Sequence, residues 1–390
     1  MTKPARMVFW AAIIIAAFSS GWLVRSNTSA ERLARTYAKY VKGKPSHKVN
    51  LAEDGIFPMV AANDYRHALI GLQSPADITT RRAALGAFIW RGTSAPGKQL
   101  PDGVETDVFE PLLFDLDNLA SVDRLTVAQA YGIDSVAFHL KAKDSQSCLM
   151  VYQEGHRDSF LVRKRFFDKV LSAGCDVLAL SLPATGPHNP RPTFHHSRFG
   201  VLTIHDPDAL EILETEGFGT TKLFITPVLV ALNHVLAQRS YAKVGMTGFS
   251  GGGWVTQLVA ALDPRITYSY AVAGSAPLAV HASRPSWGSY EQLMGRLYEI
   301  VTYPELYVMG ASGSGRRQLQ AFNREDPCCF AGENWRAYAG AVAEKARKFG
   351  GRFRVVMDSE TVRHTLSQRI EDTIMDDFMP VAKPAPEGSS

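Results

Sequence analysis

Residues 245–254 read GMTGFSGGGW and place one serine, Ser250, among five glycines. An apolar run that predicts a strand precedes this stretch, and GGWVTQLVAALDP, which predicts a helix, follows it. Gly248, Ser250 and Gly252 form the chain's one match to G-x-S-x-G, the pattern of a nucleophile elbow between a strand and a helix. In such a sharp turn the serine adopts strained backbone angles and the residues two before and two after it must be small. The stretch therefore predicts Ser250 Oγ presented above a sheet, beside a helix N-terminus that favours negative charge.

Two kinds of phosphate-binding turn are also rich in glycine, and each requires its own pattern. A P-loop needs Lys followed by Ser or Thr after its glycines, and a dinucleotide-binding turn needs G-x-G-x-x-G after the strand. Neither pattern occurs here. A purely structural turn with an uninvolved serine stays open as the alternative.

Outward from the elbow, short apolar runs alternate with longer amphipathic ones. The pattern predicts an α/β domain whose mostly parallel sheet carries helices on both faces. Pro227 is expected to kink its long helix or to lie near the helix start. Active sites in such sheets lie beyond the carboxyl ends of the strands. The predicted strands cover 135–142, 147–153, 175–182, 241–248, 266–274, 305–312 and 352–358, and the predicted helices cover 159–174, 220–240, 252–264 and 335–351.

With its elbow and this strand order, the run from about 130 to 378 resembles the α/β-hydrolase superfamily of esterases, lipases and related enzymes. The run amounts to about two thirds of the chain. The resemblance implies a serine hydrolase that needs no cofactor and no metal. It also implies a catalytic triad in the chain order serine, acid, histidine.

The histidine of that triad is predicted by elimination. Of 11 histidines, only His281 and His364 follow Ser250. His281 comes directly after a predicted strand and leaves no room for a later one. His364 lies just beyond the last predicted strand, where the resemblance places the general base, although a surface histidine is the alternative.

The acid has more than one candidate. Glu325 and Asp326 are the first carboxylates after the predicted strand 305–312, and Asp358 ends the final strand. Position favours Asp326, which lies on a loop that can fold back beneath the imidazole. Asp358 is the competitor, and it would otherwise cap the turn that carries His364.

The resemblance further implies an oxyanion hole built from two backbone amides. One belongs to Gly251, directly after the nucleophile. The second belongs to the loop EGHRDS, which begins at Glu154. Gly155, His156 and Arg157 all stay open as that donor, and a solvated loop position is the alternative for His156.

Two further loops bear on the substrate. Residues 183–200 contain three histidines and two arginines, but no helical i, i+4 spacing and no nearby acidic ligand before Asp206, so substrate contact or solvation is favoured over a metal site. Residues 283–303 separate two predicted strands and suit a modest cap. The aromatic and polar content of these loops favours sugars or polar acyl groups over long lipids. The basic residues of the first loop are His188, Arg191, His195, His196 and Arg198.

Composition narrows the partners and the redox chemistry. The chain has 42 Lys and Arg against 38 Asp and Glu. The basic residues are spread out, which argues against a nucleic-acid partner. Cys148, Cys175, Cys328 and Cys329 show no C-x-x-C spacing, which favours buried or incidental thiols and leaves one bridge open for an oxidising compartment.

The N-terminal region predicts membrane insertion or export. Residues 7–24 carry no charge and follow Lys3 and Arg6. This length lies between that of a secretory signal and that of a membrane span. Residues 1–30 are thus a signal peptide or an anchor. The short basic start favours an extracytoplasmic domain, whereas the basic residues after the segment would keep it cytoplasmic by the positive-inside rule.

The remaining boundaries follow from composition. Residues 31–80 are expected to form a juxtamembrane helix and an irregular segment, residues 81–380 the hydrolase domain, and residues 381–390 a disordered tail. A serine ester hydrolase acting on small-molecule or glycan esters through an acyl-enzyme is the leading function. A peptidase or acyltransferase with the same triad and a catalytically silent, membrane-tethered binding module are the alternatives.

Overall fold

A computed structural model describes residues 70–156, 159–277 and 289–380. These residues all belong to one compact unit. The predicted N-terminal signal or anchor, the predicted juxtamembrane helix and the predicted C-terminal tail lie outside the described residues. His281 and Arg157 also lie outside them.

A mixed sheet of nine strands forms the centre of the described structure, in the order β1-β2-β3-β5-β4-β8-β9-β10-β11. The first three pairings, up to β3 with β5, are antiparallel, and the pairings from β5 to β11 are parallel. A separate hairpin pairs β6 with β7. The strands are β1 (Gly103–Glu105), β2 (Leu119–Val127), β3 (Ser135–Ala142), β4 (Cys148–Gln153), β5 (Cys175–Leu180), β6 (Thr193–His196), β7 (Gly200–Thr203), β8 (Lys243–Phe249), β9 (Tyr268–Val272), β10 (Arg317–Asn323) and β11 (Arg352–Asp358).

Helices cover both faces of this sheet, as predicted. One core cluster joins α1, α3, α4, α5, α6 and α7 to the first face, and a second joins α2 and α8 to the other. Side chains along β4 alternate between the two clusters, because successive residues of a strand point to opposite faces. The helices are α1 (Pro75–Ile89), α2 (Lys164–Ser172), α3 (Thr221–Gln238), α4 (Gly251–Leu262), α5 (Gly295–Ile300), α6 (Tyr303–Ala311), α7 (Ala339–Lys348) and α8 (Gln368–Phe378).

One predicted strand is wrong. Residues 305–311 belong to α6, residue 312 is its C-cap, and the strand before β11 is β10, which the sequence pattern did not indicate. Thr302 and Glu305 form a capping box at the start of α6, and Pro304 lies in its first turn. Every residue of α6 is buried, so its apolar run lacks the helical period and reads like a buried strand.

Because 305–311 is helical, the preceding segment 283–303 does not separate two strands. The described part of the segment predicted to separate two strands contains a short 3-10 turn, Tyr290–Gln292, and helix α5. At the other end of the domain, α1 begins at Pro75, before the predicted boundary at residue 81, and β2 was not predicted.

Helix α3 contains Pro227 in its interior. Within the described residues, α3 is also the one helix whose length and apolar composition would allow it to cross a membrane, but 72% of its apolar window is buried inside the protein. Its side chains belong to the first core cluster. In this structure, α3 is therefore a core helix of the domain.

All four cysteines are paired in disulfides, so the prediction of free thiols is wrong. Cys148 and Cys175 face each other on neighbouring strands β4 and β5. Cys328 and Cys329 are adjacent in sequence and bridge each other. The first bridge closes a chain segment between residues 27 apart, whereas the second closes almost none.

We expect the two bridges to differ in their effect on stability. A double Cys148→Ala, Cys175→Ala variant should lose about 3 to 4 kcal/mol of unfolding free energy, because the cross-link restricts the unfolded chain. The bridge between Cys328 and Cys329 closes almost no loop, so the matched Cys328→Ala, Cys329→Ala variant should lose about 1 kcal/mol or less. Urea unfolding without reductant measures both variants, and equal losses would contradict the loop-closure argument.

Candidate active site

Ser250 occupies the sharp turn between β8 and α4. Its backbone has φ 55° and ψ −125°, a conformation that is costly for a residue with a side chain. The turn is held at both ends, because the Ser250 N–H donates to the Val272 carbonyl at 2.8 Å and the Gly253 N–H donates to the Ser250 carbonyl at 2.9 Å. This is the geometry that the G-x-S-x-G pattern predicts.

The glycines on either side of Ser250 are required by close backbone contacts. A Cβ added at Gly248 would lie 2.0 Å from the Gly252 carbonyl oxygen. A Cβ at Gly252 would lie 2.0 Å from the carbonyl oxygen of Gln153, on the neighbouring strand β4. Both distances are far below a normal van der Waals contact, so the turn cannot form with side chains at these two positions.

Asp326 and His364 are in direct contact. Asp326 Oδ2 accepts a hydrogen bond from His364 Nδ1 at 2.7 Å, and the Asp326 side chain is fully buried. The other carboxylate oxygen, Oδ1, accepts from the N–H groups of Cys328 and Cys329 at 2.8 and 3.1 Å. A carboxylate fixed in this way holds the imidazole in the tautomer that leaves Nε2 free to accept a proton.

The sheet brings these two residues together. Asn323 and Asp358 end the neighbouring parallel strands β10 and β11 and are register partners. The loops that carry Asp326 and His364 therefore leave the same edge of the sheet. Asn323 Nδ2 also donates to the carbonyl oxygens of Arg363 and Thr365, at 2.9 and 2.8 Å, so it clamps the backbone on both sides of His364. Nothing in the sequence pattern had indicated Asn323.

Asp358 makes different contacts. Its Oδ1 accepts from the N–H groups of Glu360 and Thr361, and its Oδ2 accepts from the hydroxyls of Thr361 and Ser367. Burial alone would raise the pKa of Asp358, but these hydroxyls and amides lower it below its ordinary value. Asp358 therefore caps the turn that leads to His364, which was the alternative role the sequence allowed.

Exchange of each carboxylate for an amide separates the two aspartates. Asp326→Asn should lower kcat on the order of 10⁴-fold, because the amide favours the wrong imidazole tautomer. Asp358→Asn should keep kcat within about tenfold and lose about 1 to 3 kcal/mol of stability. Ester turnover and chemical unfolding are measured for both variants. An equal loss of kcat in the two would contradict the assignment of Asp326 as the acid.

Phe249, the residue before Ser250, contacts this pair. The ring of Phe249 packs on the His364 imidazole with 4.6 Å between ring centroids. Within the described ranges, no hydrogen bond joins Ser250 Oγ to His364. A nucleophile and its base are often further apart without substrate than a hydrogen bond allows.

The amides near Ser250 do not all remain available. No described residue accepts a hydrogen bond from the Gly251 N–H at the start of α4. The Gly155 N–H, by contrast, donates to Glu154 Oε1 at 2.8 Å, and Arg163 grips the same carboxylate with two nitrogens. The expectation that Gly155 donates to an oxyanion is therefore not met in this structure.

Gly155 has a packing role instead. A Cβ at this position would lie 2.8 Å from Ser250 Cβ and 2.7 Å from the Phe249 carbonyl oxygen. The absence of a side chain lets the loop approach the elbow closely. His156 comes directly after it, so its amide is the next candidate along the loop.

His156 lies beside the elbow and is mostly buried. The Cε1 and Nδ1 atoms of its ring lie 2.4 and 2.5 Å from the position that a Cβ on Gly251 would take. Its Nε2 lies 3.2 Å from Oε1 of Glu291, whose side chain is fully buried. A solvated loop position is therefore wrong for His156. Glu291 carried no signal in the sequence, because only the fold brings it to this loop.

The histidines of loop 183–200 do not converge. His188 Nε2 lies 3.2 Å from Glu110 Oε2, and burial lowers the pKa of His188 although Glu110 opposes the shift. His196 stacks on Phe199. Among the described residues, the groups that could hold a metal are His156 with Asp208 and Glu291, and His364 with Cys328 and Cys329. The second group offers no thiolates, because its sulfurs are bonded to each other.

The fold is shared with solved esterase structures. The match with an acetyl xylan esterase from a Paenibacillus species covers 81% of this chain and 98% of that chain, with a TM-score of 0.53 and 15% identity. The match with acetyl xylan esterase 1 from a Thermoanaerobacterium species covers 82% of this chain and 97% of that chain, with a TM-score of 0.53 and 13% identity.

The match with a glucuronoyl esterase from Solibacter usitatus covers 77% of this chain and 90% of that chain, with a TM-score of 0.51 and 13% identity. No protein-family model matches the chain, and no curated protein matches its sequence. At these identities the likeness concerns the fold. With its mixed sheet and the elbow at Ser250, this chain has the fold of the α/β-hydrolase superfamily.

Proposed function

We propose that the protein is a serine esterase that hydrolyses carboxylic esters of glycans or similar polar molecules. The observation that carries the proposal is the hydrogen bond between the buried Asp326 carboxylate and His364, whose ring packs on Phe249, the residue before a serine held at positive φ in a strand-to-helix elbow. Solved esterases with the same fold support the reaction class. The triad is Ser250, His364 and Asp326.

In the proposed reaction, Ser250 Oγ attacks the ester carbonyl while His364 Nε2 takes the hydroxyl proton. The imidazolium then donates this proton to the leaving alcohol, and an acyl-enzyme forms. Water repeats the attack with His364 as its base and releases the acid. Asp326 stays ionised and orients the ring throughout.

The oxyanion of each tetrahedral intermediate needs two donors. We assign the first donor to the Gly251 N–H, since no described residue accepts a hydrogen bond from it. We assign the second to the His156 N–H, because the Gly155 N–H donates to Glu154 and the His156 ring lies against Gly251, the residue that would supply the first donor. The positive end of α4 adds to the stabilisation of the negative charge.

The substrate class and the compartment rest on separate observations. The solved neighbours are described as acetyl xylan esterases and a glucuronoyl esterase, which favours ester groups on glycans. The apolar segment 7–24 and the two disulfides favour export, since disulfides persist in oxidising compartments. The protein would then meet its substrate outside the cytoplasm.

Acetate release from acetylated xylan, together with fluorophosphonate labelling, tests the proposal. We expect the full chain to be labelled and to release acetate, and a matched p-nitrophenyl ester and anilide pair to show cleavage of the ester alone. Cleavage of the anilide would favour the peptidase. The absence of labelling and of ester cleavage by the folded protein would favour the binding module and overturn the proposal.

A further inference from the structure

We propose that His156, Asp208 and Glu291 form a binding site for a divalent metal ion of the zinc type, next to the elbow. One ligand atom from each residue lies within 4.8 Å of those of the other two. His156 follows β4, Asp208 lies in the 3-10 helix Pro207–Leu213, and Glu291 lies in the 3-10 turn Tyr290–Gln292. Three segments far apart in sequence thus direct a nitrogen and two carboxylates to one point.

The buried carboxylate of Glu291 is the feature that indicates a bound cation. Its side chain is fully buried, and neither of its carboxylate oxygens has a hydrogen-bond partner among the described residues. An ionised carboxylate removed from water is strongly unfavourable unless hydrogen bonds or a positive charge compensate it. Its close polar contact, His156 Nε2 at 3.2 Å, is a potential ligand to the same ion.

The surroundings add negative charge. Besides Glu291 and Asp208, a third carboxylate, Glu211, lies on the same 3-10 helix as Asp208 and lines the same cavity. Among the described residues, no lysine or arginine forms an ion pair with any of these three carboxylates. A divalent ion would supply the missing positive charge.

The donor set and spacing indicate the type of ion. Imidazole nitrogens and carboxylate oxygens are both zinc ligands, and two ligands bound at roughly 2.0 Å in a tetrahedron lie roughly 3.3 Å apart. The separation of 3.2 Å between His156 Nε2 and Glu291 Oε1 is close to that edge. Three protein ligands leave a fourth position open.

The fourth coordination position of such an ion would lie next to a cavity. Asp208 is exposed and lines a cavity of about 460 Å³ between the β6–β7 hairpin and the helix Pro207–Leu213. On its other side, the ring of His156 lies against Gly251. A bound ion would therefore tie the loop beside Ser250 to the wall of this cavity, where a polar ligand or water can complete the coordination.

Metal content of the purified full chain tests this site independently of any esterase activity. The protein is stripped with a chelator, dialysed against zinc sulfate and desalted, and its zinc is counted by mass spectrometry. We expect about one zinc ion per chain, and a calorimetric titration should show affinity reduced at least tenfold in Asp208→Asn and Glu291→Gln.

Glu211→Gln is the matched control, because Glu211 lies on the same 3-10 helix and lines the same cavity but is outside the ligand set. It should bind zinc like the original chain. If Glu291→Gln does not fold, the exposed Asp208 decides the result alone. The proposal is overturned if the chain retains no zinc, or if Asp208→Asn binds it as tightly as Glu211→Gln does.

Discussion

Ser250→Ala is expected to abolish ester hydrolysis, with kcat lowered on the order of 10⁶-fold. The reason is that the acyl-enzyme forms only through Ser250 Oγ, and no other hydroxyl occupies the elbow. The remaining rate would come from the donors of the oxyanion hole and from substrate binding alone. Initial rates with p-nitrophenyl acetate measure the effect, and loss of fluorophosphonate labelling provides a second readout.

Ser240→Ala is the matched control for this substitution. Ser240 is an exposed serine between α3 and β8, at the opposite end of the strand that leads into the elbow. Its replacement should leave both labelling and turnover unchanged. If Ser250→Ala kept a tenth of the original rate, a different residue would have to be the nucleophile.

Gly252→Ala is expected to have the largest effect on stability, a loss of more than about 4 kcal/mol. The added Cβ would lie 2.0 Å from the Gln153 carbonyl oxygen and 2.6 Å from its carbonyl carbon. This contact is with backbone, so no side-chain rotation relieves it. Strand β4 and helix α4 would have to separate, which disturbs the pairing of β4 with β8. Guanidinium unfolding followed by circular dichroism measures the loss.

Gly295→Ala gives the comparison, because it adds the same methyl group at the start of helix α5 where nothing lies within 4 Å. Its effect should stay within about 0.5 kcal/mol. Equal stability of the two variants would mean that the elbow can shift to accept a side chain at position 252. The argument that glycine is required there would then fail.

Much of the fold was predictable because its signals are local. Strand β11 lies where its apolar run predicted it, and helix α4 begins directly after the serine of the elbow. Helix α6 shows the limit of that reasoning. Its nine residues are all buried, so their polarity carries no period from which a helix could be told from a strand.

The site was predictable only in part, because some of its contacts join distant residues. Chain order placed His364 after the last strand, but position along the chain left Asp326 and Asp358 as rivals. They differ only in what surrounds each carboxylate, an imidazole for Asp326 and a ring of turn donors for Asp358. Asn323 and Glu291 had no sequence signal, since each acts through a partner that only the fold brings near.

By itself, the sequence determined where the chain must bend and which serine the bend presents, because a backbone that approaches itself so closely admits only glycine on either side. It also determined the α/β class, because the alternation of strands and helices is written in the order of apolar residues. The tertiary structure decided which acid meets the imidazole and which carboxylate is buried beside His156. These depend on contacts between segments separated by tens to more than a hundred residues, and no local pattern in the sequence specifies such contacts.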